Sequence, residues 1–237
     1  MPLEPHQLPL PLPPHPSSAR ADLIPDVSNA EALTWLEAPE TWPLHRLGLH
    51  GPAGTGKTHM LHATAEAFGW RVLEGPGLTL DFALADATGT ALDRADAAPE
   101  PALFHLINHH AAAGLPLLMA ARTPPARWPS ILPDLASRLR ATHAVGLAEP
   151  SPILLAALLA KHIADRQLHI EPAVQAFLLS RLPRHAAAIA GAVAALDAAS
   201  LARAAAITIP FARQTLALDD RSETSSNNAS PDRTPLR

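Results

Sequence analysis

The chain of 237 residues contains no cysteine. This absence excludes disulfide bonds, metal sites built on thiolates and cysteine nucleophiles. Acidic residues outnumber lysine and arginine by 22 to 18, for a formal net charge of −4, so no general excess of positive charge indicates nucleic-acid binding. Lysine occurs only as Lys57 and Lys161. Because its ammonium group is more compact than the guanidinium used elsewhere, Lys57 is a candidate for a specific role.

Targeting signals and long apolar segments are also absent from the sequence. Residues 1–16 have no basic segment followed by an apolar one, which predicts that they are not a signal peptide. The longest apolar stretch, residues 186–196, is much shorter than the roughly 20 residues of a membrane helix. We therefore expect a cytoplasmic protein without membrane association.

Composition divides the chain into four predicted parts. These are an extended, proline-rich tail at 1–18, an α/β domain at 19–149, a small all-helical domain at 150–217 and a disordered polar tail at 218–237. Within the second part strand and helix patterns alternate, which predicts a parallel sheet between helices. Strands are predicted at 44–50, 70–73, 91–92 and 115–121, and helices within 19–40 and at 58–68 and 101–113. The third part reads as helices interrupted at Pro172 and Pro183.

A glycine-rich segment after the first predicted strand matches the phosphate-loop pattern G-x-x-x-x-G-K-[ST] at every position. Its residues are Gly51, Pro52, Ala53, Gly54, Thr55, Gly56, Lys57 and Thr58. Glycines let successive backbone N–H groups converge on a phosphate, and the following helix directs its positive end at the same anion. Lys57 would reach the β- and γ-phosphates, and the Thr58 hydroxyl would bind Mg²⁺. The sequence therefore predicts binding of ADP or ATP with Mg²⁺.

An acidic residue at the end of a strand is needed to hold the magnesium through water. Asp93 is the first choice, and Asp81 is the alternative. A second acid that would polarise the attacking water is expected immediately afterwards, but Arg94 stands there. Unless Asp96 substitutes for it, the protein should hydrolyse ATP poorly.

Several segments resemble the DnaA branch of the AAA+ ATPases. Residues 132–139 look like the arginine-finger box of that branch, and residues 103–108 and 122–125 follow its order of motifs. Residues 206–211 are similar to the closing helix of Hda-type proteins, the regulatory inactivators of DnaA. Residues 7–12, Gln-Leu-Pro-Leu-Pro-Leu, resemble the peptide by which those proteins dock on the sliding clamp of DNA polymerase III.

The resemblance implies a P-loop AAA+ αβα domain followed by a helical lid, with the nucleotide in the crevice between them. It further implies a negative regulator of replication initiation that stimulates hydrolysis of DnaA-bound ATP. Arg138 would be the arginine finger acting in trans, because a guanidinium neutralises charge that develops on the γ-phosphate. Gln7, Leu8, Leu10 and Leu12 would bind the clamp, so that DNA is met indirectly through it. Self-association into a homo-oligomer remains open.

Three positions depart from the pattern of an active ATPase. Arg94 follows the magnesium-site acid, Arg122 stands near the first-sensor position, and Ala187 stands where the second-sensor arginine is expected. Arg184, one predicted helical turn earlier, is an alternative for that arginine. These departures favour a nucleotide-dependent switch or scaffold with weak intrinsic turnover.

Two other functional classes remain open from the sequence. An active AAA+ ATPase of the DnaA or helicase-loader type would share the phosphate loop, although the negative net charge argues against an autonomous DNA binder. A small P-loop kinase would not account for the clamp-like peptide. The paired His109 and His110 have no partner at metal-ligand spacing, and we expect solvated or helix-capping roles for them.

Overall fold

A computed structural model describes residues 23–85 and 88–218. The predicted clamp peptide, the N-terminal tail and residues 219–237 lie outside this range. The chain divides into two compact units, one ending at Glu149 and the other beginning at Pro150.

A sheet of five parallel strands forms the centre of the first unit, in the order β2-β3-β4-β1-β5. The predicted α/β class with a parallel sheet is confirmed. The strands are β1 Arg46–His50, β2 Arg71–Glu74, β3 Thr90–Asp93, β4 Leu117–Ala121 and β5 His143–Gly146. The sequence analysis missed β5 because His-Ala-Val-Gly has neither a long apolar run nor a clear alternation. β3 and β4 are buried along their whole length, as strands covered on both faces must be.

Helices cover both faces of this sheet. They are α1 Ala30–Glu37, α2 Lys57–Phe68, α3 Leu80–Leu84, α4 Glu100–Ala113 and α5 Pro133–Arg140. Side chains alternate between the faces along β4: Leu118 and Ala120 join the core that contains α1 and α2. Leu117 and Met119 join the core that contains α4 and α5. The result is the expected αβα sandwich.

The second unit consists of helices in the part of the chain that is described. They are α6 Pro152–Asp165, α7 Pro172–Arg181, α8 Ala186–Arg203 and α9 Ile209–Leu216. The Ser151 and Thr208 hydroxyls cap α6 and α9 by accepting hydrogen bonds from backbone N–H groups, which satisfies donors at the helix starts. Buried aliphatic residues from all four helices form one core.

Helix α8 extends seven residues beyond the apolar stretch noted in the sequence. With 18 residues and a mean hydropathy of 1.4, it is the one described helix long and apolar enough to cross a membrane by length and composition. Its residues Ile189, Val193 and Leu196 are buried in the core of the second unit. A core helix passes the same test, so this helix is weak evidence for a membrane span.

Candidate functional site

The phosphate loop lies between β1 and α2, at the carboxyl end of the sheet. Gly56 precedes α2 with φ of 93°, a conformation that glycine adopts without the steric cost of a Cβ atom. At Gly51 a Cβ atom would collide with the carbonyl oxygen of Leu147 and lie 3.2 Å from Thr55 Oγ1. These two positions therefore require glycine for different reasons, one conformational and one steric.

The Lys57 ammonium lies inside the turn of the loop. Its Nζ donates to the carbonyl oxygens of Gly51 at 2.8 Å and Pro52 at 2.7 Å. Burial lowers the pKa of Lys57; Asp93 and Asp96 oppose this change, and Arg122 adds to it. Asp93 at the end of β3 and Arg122 directly after β4 thus act electrostatically on Lys57, as expected where the carboxyl ends of parallel strands meet.

Asp93 and Thr58 meet directly. Asp93 ends β3 and is 7% exposed, and its Oδ2 accepts a hydrogen bond of 2.6 Å from Thr58 Oγ1. Its Oδ1 accepts from the backbone N–H of Arg94 at 2.8 Å. A hydroxyl and a carboxylate side by side can hold a hydrated Mg²⁺, the hydroxyl as ligand and the carboxylate through water. Asp81, the alternative acid, lies in the first turn of α3 rather than at a strand end.

The Arg94 side chain has a partner away from Asp93. Arg94 adopts φ of 48°, and its guanidinium forms an exposed ion pair of 2.8 Å with Glu74. The chain then continues in a short 3-10 turn, Ala95–Ala97, that contains Asp96. The Asp96 charge raises the pKa of Lys57, so this acid lies within electrostatic reach of the phosphate loop.

His50 and Arg127 also lie near the phosphate loop and were missed by the sequence analysis. Burial lowers the pKa of His50, and the charges of Arg127 and Lys57 lower it further. The one signal in the sequence was position, because His50 directly precedes Gly51. Arg127 carried no such signal, since only the fold brings its segment near β1.

Helix α5 carries Arg138, the predicted arginine finger. Its carbonyl oxygen accepts hydrogen bonds from Arg46 Nη2 at 3.1 Å and Thr142 Oγ1 at 2.9 Å. The guanidinium carbon lies 5.5 Å from the centre of the Phe104 ring on α4, within the range of a cation–π contact. The residue is half-buried, and its backbone and side chain are both held.

Two predictions about other side chains are wrong. His110 is not solvated: it is 2% exposed, with Nε2 2.9 Å from Thr90 Oγ1 on β3. Arg184 is not a helical turn before Ala187, because it lies in the loop between α7 and α8. The prediction for His110 failed because helix α4 packs this residue against the sheet. The prediction for Arg184 failed because the chain is not helical between the end of α7 at Arg181 and the start of α8 at Ala186. Among the residues described, no group of three His, Asp or Glu side chains could hold a metal ion.

Comparisons with known proteins agree with this architecture. Domain III of the replication initiation protein DnaA from Thermotoga maritima matches with a TM-score of 0.73 at 15% identity, over 85% of this chain and 96% of that one. DnaA from Aquifex aeolicus bound to AMPPCP matches with a TM-score of 0.61 at 16% identity, over 74% and 63%. A RuvB variant from Thermotoga maritima matches with a TM-score of 0.65 at 17% identity, over 84% and 71%. At these identities the likeness concerns the fold. No curated protein matches the sequence significantly.

The parallel sheet, the phosphate loop at its carboxyl edge and the helical second unit define a P-loop protein with the AAA+ fold. The second unit gives a more specific similarity within this class: residues 155–216 match the family described as "Hda, lid domain". Taken with the DnaA-like fold, this match makes the chain similar to Hda-type proteins of the AAA+ class.

Proposed function

We propose that this protein is a cytoplasmic negative regulator of replication initiation that promotes hydrolysis of DnaA-bound ATP. Arg138 carries the proposal. Its charge has no carboxylate partner among the residues described, and after burial it is the second cause that lowers the pKa of Arg46. Two neighbouring cations, neither with a carboxylate partner in residues 23–85 and 88–218, favour an external anion, and the γ-phosphate of a partner's ATP has the required charge.

The protein's own nucleotide would be ADP or ATP. Residues 51–58 would hold its phosphates, with Mg²⁺ on Thr58 and, through water, on Asp93. DnaA from Aquifex aeolicus has been seen with AMPPCP, which supports a nucleotide in the same fold. With Arg94 paired to Glu74, no acid directly follows Asp93, so intrinsic turnover would be weak. The bound nucleotide would then act mainly as a switch or structural cofactor.

The proposed docking partner is the sliding clamp. Leu8, Leu10 and Leu12 alternate in a proline-rich segment and would fill a shallow apolar pocket, while Gln7 would add a hydrogen bond. The prolines reduce the entropy lost on binding. DNA would be met through the clamp.

The decisive experiment measures hydrolysis of ATP pre-bound to DnaA, with clamp-loaded DNA present. Arg138→Ala should lose the stimulation by several orders of magnitude, since an arginine finger contributes roughly 10³–10⁵ in GTPases. Arg140→Ala is the matched control, because Arg140 is an exposed arginine on the same helix. Equal stimulation by the wild type and Arg138→Ala would remove the finger role.

Clamp binding is tested separately. Replacing Gln7, Leu10 and Leu12 together by alanine should abolish binding to the clamp and leave nucleotide affinity unchanged. Surface plasmon resonance on immobilised clamp and a fluorescent-nucleotide titration would measure the two quantities. Normal clamp binding by this variant would contradict the peptide assignment.

An active AAA+ ATPase of the DnaA or helicase-loader type is the second candidate. One observation favours it: Asp93 contacts Thr58, and the Asp96 charge is felt at Lys57, so the acids of a hydrolytic site are present in altered positions. Substantial ATP turnover without DnaA, lost in Asp96→Asn, would favour this candidate over the regulator.

A further inference from the structure

Helix α4 contacts the start of α5 through a single carboxylate. Glu100 accepts hydrogen bonds from Ser130 Oγ at 3.0 Å, from the Ile131 N–H at 3.0 Å and from the Leu132 N–H at 3.1 Å. Leu132 is the N-cap residue of α5. The backbone hydrogen bonds from Ile131 and Leu132 are the main causes that lower the pKa of Glu100; burial opposes them, and the bond from Ser130 lowers the pKa further. The carboxylate is therefore charged at neutral pH, and it holds the backbone at the point where α5 begins.

The next turn of α4 contacts the other end of the same helix. Phe104 follows Glu100 by four residues, so both side chains lie on one face of α4. The Phe104 ring lies beneath the Arg138 guanidinium, 5.5 Å from its carbon atom. Arg138 Nε is buried and has no hydrogen-bond partner among the residues that the structure describes. In the described part of the chain the aromatic ring, rather than a carboxylate, is thus what orients the guanidinium.

We propose that Glu100 and Phe104 are positioning residues for Arg138, one setting the start of α5 and the other orienting the guanidinium. The inference rests on the proposed function, because it assigns these residues to the activity of the finger. A ring suits this role better than an acid would. A carboxylate would neutralise the charge that the partner's phosphate needs, whereas a ring face attracts the cation and leaves its charge intact.

The effect should appear in the rate of the stimulated step rather than in binding. Phe104→Leu keeps an apolar side chain but removes the ring face, so the guanidinium samples more orientations. We expect the maximal stimulated rate to fall about 10- to 100-fold, since small misplacements of a reacting group have effects of this size. The concentration of protein that gives half-maximal stimulation should stay within about twofold, because a positioned group lost from the transition state alone leaves ground-state binding intact. Glu100→Gln, which keeps the shape and removes the charge, should lower the rate in the same way.

A double-mutant cycle separates positioning from general damage. If Phe104 acts through Arg138, Phe104→Leu should have no further effect in the Arg138→Ala background. Phe177→Leu is the matched control, because Arg213 lies 5.7 Å over the Phe177 ring in the second unit, and its stimulated rate should equal that of the wild type. A full additional loss in the double variant would overturn the positioning role.

A measurement on the free protein gives a second, independent result. The Nε–H resonance of Arg138 should be shifted by the ring current of Phe104, and Phe104→Leu should remove that shift while Phe177→Leu preserves it. Wild-type stimulation by Phe104→Leu, with Arg138→Ala inactive, would refute the inference and leave the proposed function standing. Undiminished stimulation by Arg138→Ala would instead refute the finger, and with it the role of both positioning residues.

Discussion

Acidification should destabilise the first unit through His110, and the structure shows why. His110 Nδ1 lies 3.0 Å from the carbonyl oxygen of Leu106. A carbonyl only accepts, so Nδ1 carries the proton, and Nε2 accepts from the Thr90 hydroxyl at 2.9 Å. The Thr90 oxygen in turn accepts from Arg71 Nε at 2.8 Å. A second proton on the ring would turn Nε2 into a donor, so that it could no longer accept the hydrogen bond from the Thr90 hydroxyl. It would also bring a positive charge close to that of Arg71.

The size of the stability loss follows from the pKa shift of His110. Burial lowers the pKa of His110 from 6.5 to about 4; the bond to Leu106 opposes this shift, and the charges of Arg71 and His109 add to it. Because the neutral form is favoured in the folded state, the stabilisation is complete above pH 6.5 and is lost as the pH falls towards 4. At about 1.4 kcal/mol per pKa unit, the full loss is about 3 kcal/mol, of which about 2 kcal/mol is lost by pH 5.

Denaturant unfolding followed by tryptophan fluorescence at pH 7, 6 and 5 measures this effect. All four tryptophans, Trp35, Trp42, Trp70 and Trp128, precede residue 149, so the signal reports on the first unit. His110→Asn should be less stable at pH 7 but lose about 2 kcal/mol less between pH 7 and pH 5 than the wild type. His105→Asn, an exposed histidine on the same helix, should follow the wild-type slope. If the unfolding free energies of the wild type and His110→Asn fell equally between pH 7 and pH 5, the reasoning would be refuted.

Two further predictions concern the phosphate loop. Gly51→Ala should lower the unfolding free energy of the first unit by about 1–3 kcal/mol through overpacking against Leu147, and nucleotide affinity should fall with it. Gly77→Ala, where a Cβ atom meets nothing within 4 Å, is the control, and equal thermal shifts for the two variants would contradict the steric argument. Asp93→Asn should weaken nucleotide binding about 10- to 100-fold in the presence of Mg²⁺, as changes beside a metal site do, and little in EDTA. An equal loss in both titrations with fluorescent nucleotide would show that Asp93 does not act through the metal.

Local patterns in the sequence determined the phosphate loop, the α/β class and the helical second unit. The loop is contiguous, so its glycines, Lys57 and Thr58 can be recognised from their spacing alone. Strands β1, β3 and β4 were also visible, because burial on both faces favours segments rich in apolar residues: β4 is apolar throughout, and β1 and β3 each contain two apolar residues among their polar ones. The resemblance to Hda-type proteins also rested on short contiguous segments, and one of these lies within the matched lid domain.

Contacts between distant segments were decided only by the tertiary structure. The pairing of Thr58 with Asp93, the turn of Arg94 towards Glu74 and the approach of Arg127 to His50 each join residues at least 20 positions apart. His110 looked like one of two polar residues at a helix end, yet the packing of α4 against the sheet buried it beside β3. The contacts that support Arg138 also join distant segments, since Glu100 and Phe104 precede it by more than 30 residues. Periodicity shows which face of a helix is apolar, but only the order of the strands determines which helices become neighbours.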